Sequence, residues 1–202
     1  MTRLPGGRLV LATHNRGKVE EMRALLAPYG VLLTANADHG LPEPPETAAT
    51  FAGNARLKAR AAAEATGLPA LADDSGIEVE ALGGAPGVRT ADWAETPGGR
   101  DFSAAMRRTH DALLAARAPE PWRAHFVSVL CLARPGGPEE LFEGRAEGRV
   151  VWPPRGLEGH GYDPIFVPDG QDRTFAEMTP EEKNAIRHRA ASIRAFVAAC
   201  LA

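Results

Sequence analysis

Two adjacent carboxylates, Asp73 and Asp74, are the residues whose types and spacing point most directly to chemistry. They follow an apolar segment that predicts a strand and precede a Ser-Gly pair. Neighbouring carboxylates repel each other, so the pair is unfavourable unless a cation lies nearby. Mg²⁺ is the natural candidate because it prefers oxygen ligands and is often shared with substrate phosphates, and Glu46 could supply another oxygen. A solvated turn is the alternative, since Asp, Ser and Gly all form turns.

A second polar segment, residues 13–18, separates a predicted strand from a predicted helix. Such a turn presents free backbone N–H groups and the positive end of the helix dipole, which suit a phosphate. Thr13 and Asn15 add side-chain donors, and Lys18 adds a positive charge. The segment is not a P-loop, because the pattern G-x-x-x-x-G-K-[ST] does not occur in the chain. The alternative is an ordinary turn in which Asn15 caps the helix.

A third segment combines glycines with aromatic residues at positions 159–164. Glycines on both sides of His160, followed by Tyr162, allow a close backbone approach and a flat stacking surface. A tight loop with Tyr162 packed on the core is the alternative.

A fourth segment is rich in cations: residues 183–189 read KNAIRHR. A solvated basic face is the usual interpretation of such a run. Clustered opposite Asp73 and Asp74, the same cations would instead complete a bipolar nucleotide site.

The overall composition limits the classes of protein that need to be considered. The 202 residues are 44% hydrophobic and 24% charged, which excludes wholesale disorder and fits one domain over residues 1–202. The net charge of −3 argues against a nucleic-acid polymer as partner. Cys131 and Cys200 make no disulfide framework and are expected to be packed as small hydrophobes. With no signal-like or membrane-length apolar stretch, we expect a soluble cytoplasmic protein without membrane contact.

Lysine is rare in this chain, because only 3 of the 23 Lys and Arg residues are lysine. A coding bias towards Arg explains the scarcity but not the three positions that remain, Lys18, Lys58 and Lys183. In a tight phosphate site, a compact ammonium and a wide guanidinium are not interchangeable. We predict that the three lysines meet in one cleft.

The elements that must position these residues intermix strands and helices without strict alternation, which predicts an α/β fold with a mixed central sheet and flanking helices. Thr179-Pro180 with Glu182 is a strong helix start. Strands are expected over residues 8–13, 31–34, 70–72, 77–79, 124–133, 141–151 and 164–167, and helices over 18–26, 50–66, 101–116, from 179, and to the C-terminus.

Taken together and in this order, the segments resemble the inosine triphosphate pyrophosphatase family, the Ham1/RdgB-like enzymes. The resemblance runs from about residue 9 to the end, and two departures from the family pattern are His160, where an aromatic is usual, and Gly53, where an acid is common. The matching segments are Thr13-x-Asn15-x-x-Lys18, Glu46-Thr47-x-x-Thr50-Phe51-x-x-Asn54-Ala55-x-x-Lys58-Ala59, Asp73-Asp74-Ser75-Gly76, Gly83-Gly84-Ala85-Pro86-Gly87, Gly161-Tyr162-Asp163-Pro164-x-Phe166, and Glu181-Glu182-Lys183 with His188-Arg189.

The resemblance implies two lobes around a substrate cleft, usually in a homodimer. It implies Mg²⁺-dependent hydrolysis of ITP, dITP and XTP to the nucleoside monophosphate and pyrophosphate, which cleanses the nucleotide pool. Two alternatives stay open: a catalytically silent nucleotide-binding sensor, and a related pyrophosphatase for modified pyrimidine nucleotides.

The resemblance also implies roles for residues of this chain. The turn over residues 13–18 would hold the triphosphate, Asp74 would be the general base or a metal ligand, and the last two segments would frame and read the base. The implied metal ligands are Glu46, Asp73 and Asp74, the catalytic residues are Asp74, Lys18 and Lys58, and the substrate-binding residues are Thr13, His14, Asn15, Arg16, Gly17, Lys18, Ser75, His160, Gly161, Tyr162, Asp163, Lys183, His188 and Arg189.

Overall fold

The computed structural model describes residue 4 and residues 7–42 and 44–201. Its chain divides into two compact units, and the four divisions fall inside three of the strands and inside the last helix. Unit 1 comprises residues 1–74, 129–143 and 192–202, and unit 2 comprises residues 75–128 and 144–191. The prediction of one functional domain over residues 1–202, and that of a cleft between lobes, stay predictions.

A six-stranded sheet with the order β2-β1-β3-β6-β7-β8 confirms the predicted mixed α/β fold. Strand β1 pairs in parallel with β2 and β3, whereas β7 and β8 are antiparallel. A separate two-stranded ribbon joins β4 and β5. The strands are β1 Arg8–Leu11, β2 Leu32–Ala35, β3 Ala70–Val79, β4 Glu95–Thr96, β5 Gly99–Arg100, β6 Trp122–Ala133, β7 Glu139–Val150 and β8 Phe166–Pro168.

The helices begin at side-chain caps that the sequence contains. Thr50 Oγ1 accepts a hydrogen bond from the Gly53 N–H at the start of α2, and Thr179 and Glu182 form a capping box at α4. Gly67 ends α2 with a φ of +67°, a conformation that glycine adopts without strain. The helices are α1 Arg16–Leu26, α2 Phe51–Thr66, α3 Phe102–Ala115, α4 Pro180–Ile186 and α5 His188–Cys200.

Each unit has its own apolar core. The core of unit 1 packs Leu9, Leu71 and Leu130 of the sheet against α1 and α5, and the core of unit 2 is rich in aromatic rings. Cys131 and Cys200 are buried and free, as expected, and burial raises the pKa of the Cys131 thiol to about 12. None of the described helices is both long and apolar enough to cross a membrane.

The acidic pair is placed differently from the solvated turn that was its alternative. Strand β3 is continuous through Asp73 and Asp74, whose exposed fractions are only 6% and 7%. The strand's pairing and the ammonium groups of Lys18 and Lys58, which contact these carboxylates, override the turn-forming composition. A solvated basic face is likewise wrong for the 183–189 segment, since the helical run is interrupted at Arg187, between α4 and α5, and His188 is buried.

Candidate active site

Lys58 lies at the centre of a polar cluster in unit 1. Its Nζ donates to Glu46 Oε1 at 2.5 Å and lies 3.5 Å from Asp74 Oδ1, and the residue is 4% exposed. Burial alone would lower the pKa of this ammonium, but the charges of Asp74, Asp73 and Glu46 outweigh it and hold the pKa above its ordinary value. Lys58 is therefore a fixed cation inside the protein.

Asp74 is a carboxylate whose ionisation is made difficult by its surroundings. Burial raises its pKa from 3.8 to about 6, and the neighbouring carboxylates of Glu46 and Asp73 act in the same direction. The charge of Lys58 and a hydrogen bond from Asn54 Nδ2 to Asp74 Oδ2, 3.0 Å long, offset only part of this effect. A carboxyl group with a pKa near 6 suits proton transfer at neutral pH.

The turn over residues 13–18 borders the same cluster through its lysine. Lys18 Nζ donates to Asp73 Oδ2 at 2.7 Å. Asn15 Oδ1 caps α1 by accepting from the Lys18 N–H, and Thr13 Oγ1 accepts from the Asn15 N–H. The capped turn of the alternative interpretation is thus present, and its cation pairs with the acidic strand.

The remaining residues of the turn are open to solvent. His14, Arg16 and Gly17 are exposed, and the His14 ring Nε2 hydrogen-bonds the Leu41 carbonyl at 2.8 Å. Since a carbonyl only accepts, this His14 nitrogen carries the proton. The turn is therefore accessible to a ligand, as a phosphate-binding segment must be.

Helix α2 brings two polar groups to the cluster on one buried face. Asn54 and Lys58 are four residues apart, so they lie on the same side of the helix, among alanines. Asn54 Oδ1 also accepts from the Ala48 N–H at 2.9 Å, which ties the loop after Glu46 to the helix. Sequence reasoning gave Asn54 no role, although a polar pair at this spacing in an apolar stripe was the available signal.

The loop that carries Glu46 packs closely on α2 at Gly53. A Cβ at Gly53 would lie 2.5 Å from Ala48 Cβ, closer than two carbons approach. Any side chain at this position would therefore require this loop to shift. Gly53 thus lets the loop hold Glu46 beside Lys58.

Asp163 organises a second polar group, which lies in unit 2. Its Oδ2 accepts from the His160 N–H at 2.6 Å and from Lys183 Nζ, and the residue is 5% exposed. Gly159 has a φ of +87°, and a Cβ there would collide with this carboxylate. The 159–163 loop is therefore built around an Asp163–Lys183 ion pair.

Tyr162 packs into the core of unit 2, as the alternative interpretation allowed. It is 1% exposed, and its ring lies 6.1 Å from that of Phe102. His160 is exposed, and its ring meets that of Phe102 edge to face, with 5.1 Å between the two centroids. A base that stacks on this loop would therefore meet His160 and not the ring of Tyr162.

His188 and Arg189 begin helix α5 in unit 2. The imidazole of His188 stacks on the ring of Phe126, and Arg189 is half-buried. Ser75, also in unit 2, is half-buried within β3. Sequence reasoning missed Phe126, because no local pattern links it to the His188 segment.

The structure brings part of the predicted set together. Lys18 and Lys58 bind the adjacent carboxylates Asp73 and Asp74 within unit 1, and Lys183 binds Asp163 within unit 2. That all three lysines share one cleft stays a prediction.

The carboxylates of unit 1 do not form a ready-made metal cage. Among the described residues, no group of three or more His, Cys, Asp or Glu side chains is placed to hold a metal ion. Glu46 and Asp74 nevertheless converge on one cation, the Lys58 ammonium. Because Mg²⁺ is usually held by one or two carboxylates together with substrate phosphates and water, this donor set fits it.

A mixed sheet whose buried carboxylates Asp73 and Asp74 pair with lysines beside an accessible helix N-terminus is the equipment of an enzyme for phosphorylated substrates. Comparison with known proteins assigns the chain to one family. The model of the Ham1 family matches residues 9–199, and the chain belongs to this family.

The relatives and solved structures agree with that membership. A dITP/XTP pyrophosphatase of Ruegeria pomeroyi is 60% identical, covering 99% of this chain and 98% of its own. A dITP/XTP pyrophosphatase of Mesorhizobium japonicum is 52% identical, and the match covers 100% of this chain and 96% of the relative. The structure of a HAM1 protein from Coxiella burnetii matches with a TM-score of 0.90 and 37% identity, covering 95% of this chain and 97% of its own.

Proposed function

We propose that this protein is a Mg²⁺-dependent pyrophosphohydrolase that converts dITP, ITP and XTP to the nucleoside monophosphate and pyrophosphate. The observation that carries the proposal is the cluster in which the buried Lys58 ammonium contacts the buried Asp74 carboxylate and the exposed Glu46 carboxylate. The names of the relatives in Ruegeria and Mesorhizobium support the substrate class. In this role the protein would cleanse the nucleotide pool.

Glu46 and Asp74 would hold the metal ion, with Asp73 beside them on Lys18. The cluster contains three carboxylates and two ammonium groups, so it carries an excess negative charge when all of them are ionised. A bound Mg²⁺ would supply charge neutralisation for the phosphate oxygens.

The chain's own groups account for the rest of the chemistry. The turn over residues 13–18 would bind the triphosphate, with Lys18 and Lys58 offsetting the negative charge that develops on the leaving pyrophosphate. The ionised Asp74 carboxylate would accept the proton of the attacking water, or ligate the metal, and Asn54 fixes its orientation.

Selection of the base is proposed to lie with the unit 2 residues. Donors from Lys183, His188 and Arg189 would meet a 6-oxo group, with His160 stacking on the ring. A 6-amino base would leave buried donors unpaired, which costs about 1–3 kcal/mol for each group. The expected discrimination is therefore roughly 5- to 150-fold for each donor.

A panel of nucleoside triphosphates assayed with Mg²⁺ for pyrophosphate release tests this function. We expect ITP, dITP and XTP to be cleaved at least roughly tenfold more efficiently than ATP, for the reason just given. Faster cleavage of ATP would contradict the substrate class, and orthophosphate as the first product would contradict the position of cleavage.

The same panel separates the two alternatives. A silent sensor would bind ITP without turnover, whereas a pyrimidine pyrophosphatase would prefer modified pyrimidine triphosphates. The intact set of Asp73, Asp74, Lys18 and Lys58 argues against a silent protein. We further propose that the protein is a homodimer located in the cytoplasm. Its ligand would be the nucleoside triphosphate, and it would bind neither a nucleic-acid polymer nor a membrane.

Metal affinity and activity are expected to depend on pH through Asp74. Its pKa of about 6 means that the carboxylate becomes protonated as the pH falls through 6. Below that point the ionised fraction of Asp74 falls about tenfold for each pH unit. The affinity for Mn²⁺, titrated in place of Mg²⁺ and without nucleotide, should fall with it. An affinity that stays constant from pH 7.5 to 5 would contradict the assignment of Asp74 to the metal.

The contribution of Asp74 to the stability of the metal-free protein should change in the opposite sense. Because the pKa of Asp74 is raised above its unfolded value of 3.8, its neutral form is favoured in the folded state. Its contribution is therefore most favourable below pH 4 and is lost as the pH rises through 6. Adding Mn²⁺ at pH 7.5 should recover stability, measured as an increase in Tm.

A further inference from the structure

The ring of Phe126 lies flat against the imidazole of His188. The two ring centroids are 4.9 Å apart, and the planes differ by only 11°. Phe126 belongs to β6, whereas His188 is the first residue of α5, and both residues are more than nine-tenths buried. The stacked pair is thus a contact between two separate elements inside unit 2.

Two further phenylalanines fix the orientation of Phe126. Phe166 meets it edge to face at 4.7 Å and 65°, and Phe175 lies 6.0 Å away at a tilt of 33°. Phe166 and Phe175 also contact each other at 5.2 Å. In a close-packed interior, a ring with such neighbours cannot tilt without displacing them.

The plane of an imidazole decides where its hydrogen bonds point, because both ring nitrogens bond within that plane. A phenyl ring stacked on one face prevents the imidazole from tilting. We infer that Phe126 is a positioning residue that sets base specificity by fixing the plane of His188. This inference rests on the proposed function, in which His188 reads the base.

Lys183 offers a contrast within the same aromatic cluster. Its Nζ lies 5.7 Å from the centroid of the Phe175 ring and binds the Asp163 carboxylate. An ammonium group rotates freely and has no plane, so it attracts an oxygen without defining a direction. Of these two residues, His188 is the one whose hydrogen bonds have a fixed direction, and Phe126 fixes the plane in which they lie.

The test is Phe126→Leu, which keeps an apolar side chain but removes the flat face. We expect the KM for ITP to rise roughly 3- to 10-fold, which corresponds to the loss of one aromatic stacking contact. The change in kcat should be smaller. The preference for ITP over ATP should fall by a similar factor. Phe126→Met, a flexible apolar replacement, carries the same expectation if Phe126→Leu does not fold.

A matched control separates positioning from stability. Phe142 is 8% exposed in unit 1 and meets Phe196 edge to face at 5.5 Å, so Phe142→Leu also removes one buried aromatic contact. We expect both variants to lower Tm, but only Phe126→Leu to change KM and the base preference. If the two variants behave alike in all three measurements, Phe126 is purely structural and the inference is wrong.

The double variant links the effect to His188. In a His188→Ala background, Phe126→Leu should add no further loss of preference, because no imidazole is left to position. A further loss of the full single-variant size would overturn the inference. If His188→Ala itself keeps the preference for ITP, the proposed role of His188 in base recognition fails, whatever Phe126 does.

Discussion

Replacing Asp74 by Asn is expected to lower kcat for ITP by roughly 10²- to 10⁴-fold, the usual contribution of a general base, while the protein remains folded. The amide cannot accept the proton of water and is a poor metal ligand. The introduced amide resembles the neutral carboxyl group that the raised pKa of Asp74 already favours, with Lys58 beside it. At pH 7.5 we therefore expect the variant to melt no lower than the parent.

Three measurements make this result interpretable. Turnover of ITP is followed by pyrophosphate release, folding by circular dichroism and Tm, and metal affinity by Mn²⁺ titration. Asp111→Asn is the control, because Asp111 carries the same functional group with a side chain that is 68% exposed. Normal turnover by Asp74→Asn would show that Asp74 is neither base nor metal ligand.

Replacing Lys58 by Arg is expected to lower kcat/KM for ITP by roughly 100-fold or more, even though the positive charge is kept. The ammonium sits in a site that is 4% exposed and contacts Glu46 and Asp74 from one point. A guanidinium is larger and planar, so it must displace one carboxylate or the packing of α2. Glu46 and Asp74 would then no longer converge on one position.

The reverse exchange on the same helix is the matched control. Arg60 is on α2, its side chain is 63% exposed, and it pairs with Glu139. Arg60→Lys keeps the charge at a site with room for either group, so its activity should be that of the parent. Parental kcat/KM in Lys58→Arg would mean that charge alone, without shape, is what position 58 supplies.

Local patterns in the sequence were sufficient to predict most of the framework. The helix start at Thr179 and the end of the second helix at residue 66 follow from interactions between residues three or four positions apart, and the structure confirms both. Strand and helix order, and hence the mixed sheet, follow from the same short-range periodicity. The pairing of Lys18 and Lys58 with the acidic strand agrees with the charges that the motifs contain.

The sequence by itself determined which groups are present: the carboxylate pair, the lysines kept in an arginine-rich chain, and the capped turn. Only the tertiary structure decided their states. It placed Asp73 and Asp74 inside a continuous strand, tied Asn54 to Asp74, and buried the ring of Tyr162. The reason is physical: a pKa near 6 at Asp74, or the plane of an imidazole, depends on desolvation and on contacts between elements far apart in sequence. No local pattern encodes those contacts.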